Sequence, residues 1–401
     1  MSSSNLWRTG ASLLAFGLVV SVLGVAATAA ARPARARRVW KPALHRVGKQ
    51  ASGGGGWSSP QNVSGSPEID SEGPTLAVTD AGAAHLVWEE GNELYHSYRA
   101  NGSWTDPDRI SGTGNGEQPA LAAGPENTVH LVYVNNSDIF YTSWSVSGWG
   151  IPQNLSQTTQ GSDSPYIAID SDGTIHVVAV EGPDRRLQYA NVDEGTYLPI
   201  PNAYGEGPAI DVTGTETMTV RIAYRDATQP DIFTLEHASG SWSLPESVTN
   251  TPLAFSTAPD LRLDESGRGH IVWQETISAT EQIQYAQGAT WTPVVTLSAS
   301  SVGTSLPALA IDGWSTKHVI WGDEAFPSFT ILHSWRGDAD GWQGPELVYE
   351  GDQRLRDVAL GAGPDGLLHA AWAEGSLGEI LYARRTPRRV YLPLVLMNVE
   401  E

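Results

Sequence analysis

Small or polar residues alternate with apolar ones in short runs along most of the chain. The first set is Thr75–Thr79, His85–Glu89, Leu94–Arg99 and Ser103–Ile110. Period two over four to eight residues, bounded by Asp, Gly, Asn and Pro, predicts half-buried strands joined by tight turns. The turn between the first two strands carries Asp80-Ala-Gly82, and the same signal returns as Asp170-Ser-Asp-Gly173, Asp264-Glu-Ser-Gly267 and Asp365-Gly366. Glycine takes the positive φ of such a turn, and aspartate bonds back to its backbone.

The pattern repeats. A His-x-x-aromatic anchor appears as His85–Trp88, His130–Tyr133, His176–Ala179, Arg221–Tyr224, His270–Trp273, His318–Trp321 and His369–Trp372, at spacings of 45, 46, 45, 49, 48 and 51 residues. A Trp opens each copy: Trp57, Trp104, Trp149, Tyr197 as a replacement, Trp242, Trp291 and Trp342. The fourth anchor also departs from the template, with Arg221 in place of His. Four antiparallel strands every ~40–50 residues are the signature of a propeller blade. The fold expected is therefore all-β: a seven-bladed β-propeller of four-stranded antiparallel blades over residues 57–386. Residues 57–64 match the last strand of a blade, and Leu381-Tyr382 matches a third strand. The N-terminal strand is thus expected to pair with the last blade and close the ring, leaving no free edge.

The ends differ from this body. Residues 1–31 hold Arg8, an apolar run from Ala11 to Ala27 and small residues around Ala29, the order of a secretory signal peptide or, if uncleaved, a membrane anchor. Residues 32–56 are basic and then Gly-rich, a linker. Residues 387–401 form an apolar tail, Val390-Tyr-Leu-Pro-Leu-Val-Leu-Met397, too short to span a bilayer. This ending resembles a short tail of exported bacterial proteins, for which a sorting or surface-retention role is expected; a strand docking on the body is the alternative. The expected location is outside a bacterial cell, secreted or on its surface.

Charge narrows the partners. Residues 57–383 hold 12 basic and 43 acidic residues, a formal charge of −31. Such a surface repels phosphate backbones and anionic lipid, so nucleic acid is excluded as a partner and a membrane is met only through an uncleaved N-terminal segment. With no cysteine, thiol nucleophiles and zinc ribbons are excluded as well. The chain has no phosphate-binding glycine motif, no Gly-x-Ser-x-Gly and no His-Glu-x-x-His.

The unit Pro-x-Leu-Ala-Val-x-Asp-x-x-Gly-x-x-His-Leu-Val-Trp, followed by Gly-x-Trp-Ser-x-Pro, resembles repeats of sialidase-like and fucose-lectin-like bacterial propellers. The resemblance implies architecture. The closest stretch to a sialidase Asp-box, Val78-Thr-Asp80-Ala-Gly82-Ala-Ala-His85, lacks its Ser, Thr and Trp, and Arg221-Ile-Ala is not the Arg-Ile-Pro motif.

Residues that recur in every copy are read as architectural. Six of the ten histidines share one repeat position and are expected as hydrogen-bonded core groups, not metal ligands. The tryptophans are expected to pack between blades, with sugar platforms as the functional alternative. Candidate binding residues follow the second strand, where loops gather at one mouth of the channel: Glu89, Glu90, Arg225, Asp226, Glu275, Asp323, Glu324 and Glu374. Solvated loop ends are the plain reading of this set. A site for Ca²⁺, a cationic ligand or a polyol is the sharper one. No metal ligand set and no required cofactor is expected, and catalytic residues stay unassigned. The function expected is a monomeric, non-enzymatic binding propeller for glycan. The alternatives are a divergent glycoside hydrolase using mouth carboxylates, and a scaffold for an extracellular protein.

Overall fold

The computed structural model describes residues 56–387, apart from 214–217, 252–253, 289–290, 292, 299–302, 304–305, 326–327, 339 and 376–377. The expected signal, most of the expected linker and nearly all of the apolar tail lie outside the described residues. The described part is all-β, and its only helical element is a 3-10 turn at Pro125–Asn127.

The strands build antiparallel sheets in the expected order. Ser71–Val78, Ala84–Glu90 and Glu93–Ala100 pair in sequence. The fourth position is split into Ser103–Trp104 and Asp108–Arg109, both paired with Glu93–Ala100. Pro107, which has no N–H to donate, lies in the gap between the two pieces.

Third and fourth copies share one sheet. The strand Leu198–Thr213 pairs at its start with Arg186–Asn191 and at its end with Thr219–Asp226. The cause is a short loop: Tyr197 to Pro208 spans 11 residues, against 15 from Trp104 to Pro119. Without slack, the outer strand of one copy runs straight into the inner strand of the next.

The N-terminal strand joins the last sheet. Gln61 pairs with Tyr382 and Asn62 with Leu381. Trp57 bridges Arg385, and its indole N–H reaches Glu346 Oε1 at 3.1 Å. The innermost strands pack in chain order. Ser71–Val78 lies on Gly116–Ala123, then follow Ser162–Ile169, Leu198–Thr213, Ala254–Leu263, Ala308–Ile311 and Leu355–Ala362; the last packs on Ser71–Val78.

One feature of these inner strands was not legible in the sequence. Six carry a register shift just before the alternating run. The residue at the shift has a left-handed backbone: Gly73, Gln118, Ser164, Gly207, Ala258 and Asp357, all with φ between 51° and 57°. An extra residue there bends the strand, as a β-bulge does.

The histidines are core groups, as the repeat implies. Nδ1 meets a third-strand side chain: Tyr141 at 2.8 Å from His130, Tyr189 at 2.6 Å from His176, Tyr285 at 2.6 Å from His270 and Tyr382 at 2.8 Å from His369. In two copies the partner is another histidine, His96 for His85 and His333 for His318, each at 3.1 Å. The turn aspartates complete the unit. Asp170, Asp264 and Asp312 hold their turn backbones with Oδ1 and face the histidine Nε2 with Oδ2.

Five of the opening tryptophans stand edge-on to a third-strand ring of the preceding copy. Trp149 packs on His96, Trp242 on Tyr189, Trp342 on Tyr285 and Trp57 on His333, with centroids 4.8–5.4 Å apart. Trp104 makes the same contact with Tyr382 of the last sheet.

Candidate functional site

Several carboxylates expected at the channel mouth are buried or tied into turns and strands. Glu90 is only 3% exposed; its Oε2 accepts from Ser66 Oγ at 2.8 Å, Ser71 Oγ at 3.3 Å and Trp88 Nε1 at 3.3 Å. Glu374 is buried and accepts from the Tyr349 hydroxyl at 2.6 Å. Glu275 is buried near Asp231, and burial holds its carboxyl above the ordinary range. Asp226 closes a turn by accepting from Thr228 N at 2.8 Å and Gln229 N at 3.0 Å. Asp323 lies on the strand Lys317–Ala325, opposite Thr330.

The other three reach toward neighbouring chain segments. Glu324 accepts from Arg354 Nε at 3.0 Å. Arg225 pairs with Glu206 and lies 5.2 Å over the Phe255 ring. Glu89 Oε1 accepts from Gln118 N of the next inner strand at 2.6 Å. Burial and the charges of Glu72, Glu117 and Asp357 push the Glu89 carboxyl up to about 7. Among the described residues no group of three or more His, Asp or Glu is arranged to hold a metal ion.

A more specific site arises where the fourth copy departs from the template. Each histidine of the other copies bonds a ring two residues before its cross-strand partner. Arg221 is paired with Glu236 in register, so the corresponding residue is Thr234. Thr234 has no ring, and its hydroxyl turns to Ile222 O at 3.0 Å. The volume a tyrosine would fill is left open. There a pocket of about 390 Å³ is lined by Arg221, Thr234, Glu236, Trp242, Ser243 and Trp291 among others.

Arg221 crosses the gap. It forms an ion pair with Glu236 and places its guanidinium 5.7 Å from the Trp291 ring. Trp291 is the opening tryptophan of the next copy, facing a cation where its counterparts face an aromatic ring. Gly269 makes the approach possible: a Cβ there would lie 2.5 Å from Trp291 Cη2 and 2.8 Å from Arg221 Nη1. The pocket therefore offers a guanidinium, a carboxylate, hydroxyls and the half-buried Trp242 indole, with the buried Trp291 ring behind them. The Arg221 replacement was visible in the sequence; the matching loss of a ring at Thr234 was not, because it depends on strand register.

No family model and no curated protein sequence matches the chain. Solved structures do. A polysaccharide lyase of family PL25, an ulvan lyase, is similar at a TM-score of 0.56 and 12% identity, over 78% of this chain and 93% of that one. A protein of unknown function from Dyadobacter fermentans is similar at 0.50 and 10% identity, over 83% and 100%. Weaker matches include a Hadza microbial sialidase, at 0.43 and 12% over 75% and 73%, and the Aleuria aurantia fucose lectin, at 0.45 and 13% over 70% and 95%. The antiparallel sheets and their inner strands, packed in chain order, give the chain an all-β, propeller-like fold.

Proposed function

We propose that the chain is a closed seven-bladed propeller that binds carbohydrate in the pocket beside Arg221. Seven innermost strands packed in one cycle support the blade count, with the shared sheet read as two blades joined by Leu198–Thr213. Pairing of Gln61–Asn62 with Glu379–Arg385 supports closure by the N-terminal strand.

One observation carries the binding reading: an Arg–Glu ion pair in an open pocket beside the half-buried Trp242 indole, with the buried Trp291 behind it. A guanidinium donates and a carboxylate accepts, which suits vicinal hydroxyls, while an indole face suits the C–H face of a pyranose. The volume falls within the usual range for small-molecule sites. A glycan partner also agrees with the similar ulvan lyase, which has been solved bound to -[GlcA(1-4)Rha3S]-. Secretion or surface display of the body follows from the leader-like residues 1–31.

A glycan array with the purified protein tests this. Binding is expected, and Arg221→Gln should weaken it about tenfold or more, as loss of a charged hydrogen-bonding partner does. An array without binding, or binding indifferent to Arg221→Gln and Trp242→Ala, removes the proposal.

A second reading has its own observation. Glu89, raised to about 7 among Glu72, Glu117 and Asp357, has the protonation of a general acid. Turnover of aryl glycosides that disappears in Glu89→Gln would establish a hydrolase instead.

A further inference from the structure

The seven innermost strands line an open cavity of about 690 Å³ whose wall is about equally polar and apolar. Two positions of each strand, alternate along it, are small in the repeat. They read Thr75 and Ala77, Ala120 and Ala122, Ala308 and Ala310, and Ala359 and Gly361. Three consecutive copies break this rule. Tyr166 stands before Ala168, Asp211 after Ala209, and both positions of the next strand are charged, Asp260 and Arg262. All four of these polar residues line the cavity.

They form one network. Tyr166 donates its hydroxyl hydrogen to Asp260 Oδ1 at 3.0 Å. Arg262 Nη1 donates to the same oxygen at 2.8 Å and to Leu261 O at 2.6 Å. Its Nη2 has only a 3.4 Å contact, to the Tyr166 hydroxyl. Asp211 Oδ2 accepts from Leu263 N at 2.6 Å, and Asp260 Oδ2 from Leu309 N at 2.8 Å. Burial pushes the Tyr166 phenol up to about 12, so it stays a neutral donor.

Bracing accounts for only part of this. The two aspartates do cap N–H groups on the open edge of the next inner strand. Thr75 does the same for Leu121 N at 3.1 Å with a neutral hydroxyl, so the task needs no charge. A guanidinium and a phenol exceed it, and Arg262 keeps 27% of its side chain exposed.

We infer that this cavity is a second binding site, built for a neutral polyhydroxylated ligand and closed to carboxylated sugars. Arg262 is the single cationic side chain in the described lining, facing Asp211 and Asp260. A uronate or sialate carboxylate would meet a guanidinium already paired and a wall of net negative charge. A hydroxyl meets no such penalty: it accepts from Arg262 Nη2 and donates to a carboxylate oxygen. Apolar side chains around the network cover the C–H faces of the ring, and the volume suits a ligand of one or two sugar units.

The site shares a ligand class with the pocket beside Arg221 but none of its residues, so the two stand or fall separately. The test uses the full-length protein carrying Arg221→Gln and Gly269→Ala, which together disable that pocket. Saturation-transfer NMR with cellobiose, maltose and lactose is compared with digalacturonate. At least one neutral disaccharide should bind and digalacturonate should not. Ala359→Phe, which fills the cavity from a strand outside the network, should abolish the signal. Tyr166→Phe keeps the ring and should weaken binding about fivefold, the loss of one hydrogen bond. Circular dichroism confirms that each variant is folded. Binding of digalacturonate, failure of every neutral disaccharide, or binding that survives Ala359→Phe overturns the inference.

Discussion

The indole of Trp104 stands edge-on to the phenol of Tyr382, with centroids 4.8 Å apart and planes at 84°. These residues are 278 positions apart in the chain, and they join the first complete sheet to the last. Tyr382 also bonds His369 through its hydroxyl, so the contact ties the outer layer of one sheet to the interior of another.

A double-mutant cycle on Trp104→Phe and Tyr382→Phe removes the indole and the hydroxyl separately; Trp104→Ala with Tyr382→Leu removes the ring pair. The ring-pair cycle should give a coupling of about 1 kcal/mol in urea unfolding, the scale for an aromatic pair beyond its buried area. Removing residues 57–64 should abolish the cooperative transition altogether, because Glu379–Arg385 would then present an unpaired edge. Additive single effects, or a truncated protein that melts normally, would show that the two ends of the chain do not hold each other.

The buried histidines set how the fold responds to acid. Burial lowers His369 from 6.5 to about 4, and His85, His96 and His333 are lowered for the same reason. The folded chain keeps these rings neutral where the unfolded chain protonates them. Stability is therefore full above about pH 6.5 and falls as the pH drops towards 4, by on the order of 3 kcal/mol for one such ring. Glu89 acts in the opposite sense. Raised from 4.5 to about 7, it keeps its proton in the fold and adds stability as the pH falls through that window. One half-buried carboxyl does not offset four enclosed rings. Urea midpoints at pH 7, 6, 5 and 4.5 should fall steadily, and His369→Gln should flatten part of the slope. A midpoint that is constant or rises in acid contradicts this account.

Much of the fold was legible because it is written several times. The anchors, the turn aspartates and the opening tryptophans recur, so a signal weak in one copy becomes strong in the set. The phase of residues 57–64 even indicated the strand they join. The bulges were hidden: Gly73, Gln118, Ser164 and Asp357 share a backbone conformation but no side-chain chemistry. Candidate sites were legible only where a copy broke its template at a position already under scrutiny. Arg221 met that condition. Thr234 did not, since a missing ring shows only when the cross-strand register is known. Glu90 and Glu374 read as loop ends in the sequence because the groups that enclose them, Ser66, Ser71 and Tyr349, come from other segments. Asp260 and Arg262 passed as ordinary alternation in a strand, although they occupy the positions that other copies keep small.

Gly269 gives the sharpest test of the pocket beside Arg221, because it touches the pocket's shape without touching its chemistry. A methyl group there meets Trp291 at 2.5 Å and Arg221 at 2.8 Å, both too close to coexist. The corresponding residues of other copies, Ala84, Val129 and Ile175 among them, carry side chains, so the glycine is not required by the strand itself. Gly269→Ala should therefore leave the protein folded at a cost of about 1–3 kcal/mol, the range for overpacking. It should displace the indole and the guanidinium and remove glycan binding at that pocket. Gly341→Ala, where nothing lies within 4 Å of the added carbon, should change neither. Wild-type affinity in folded Gly269→Ala would mean that glycan is held elsewhere on the molecule.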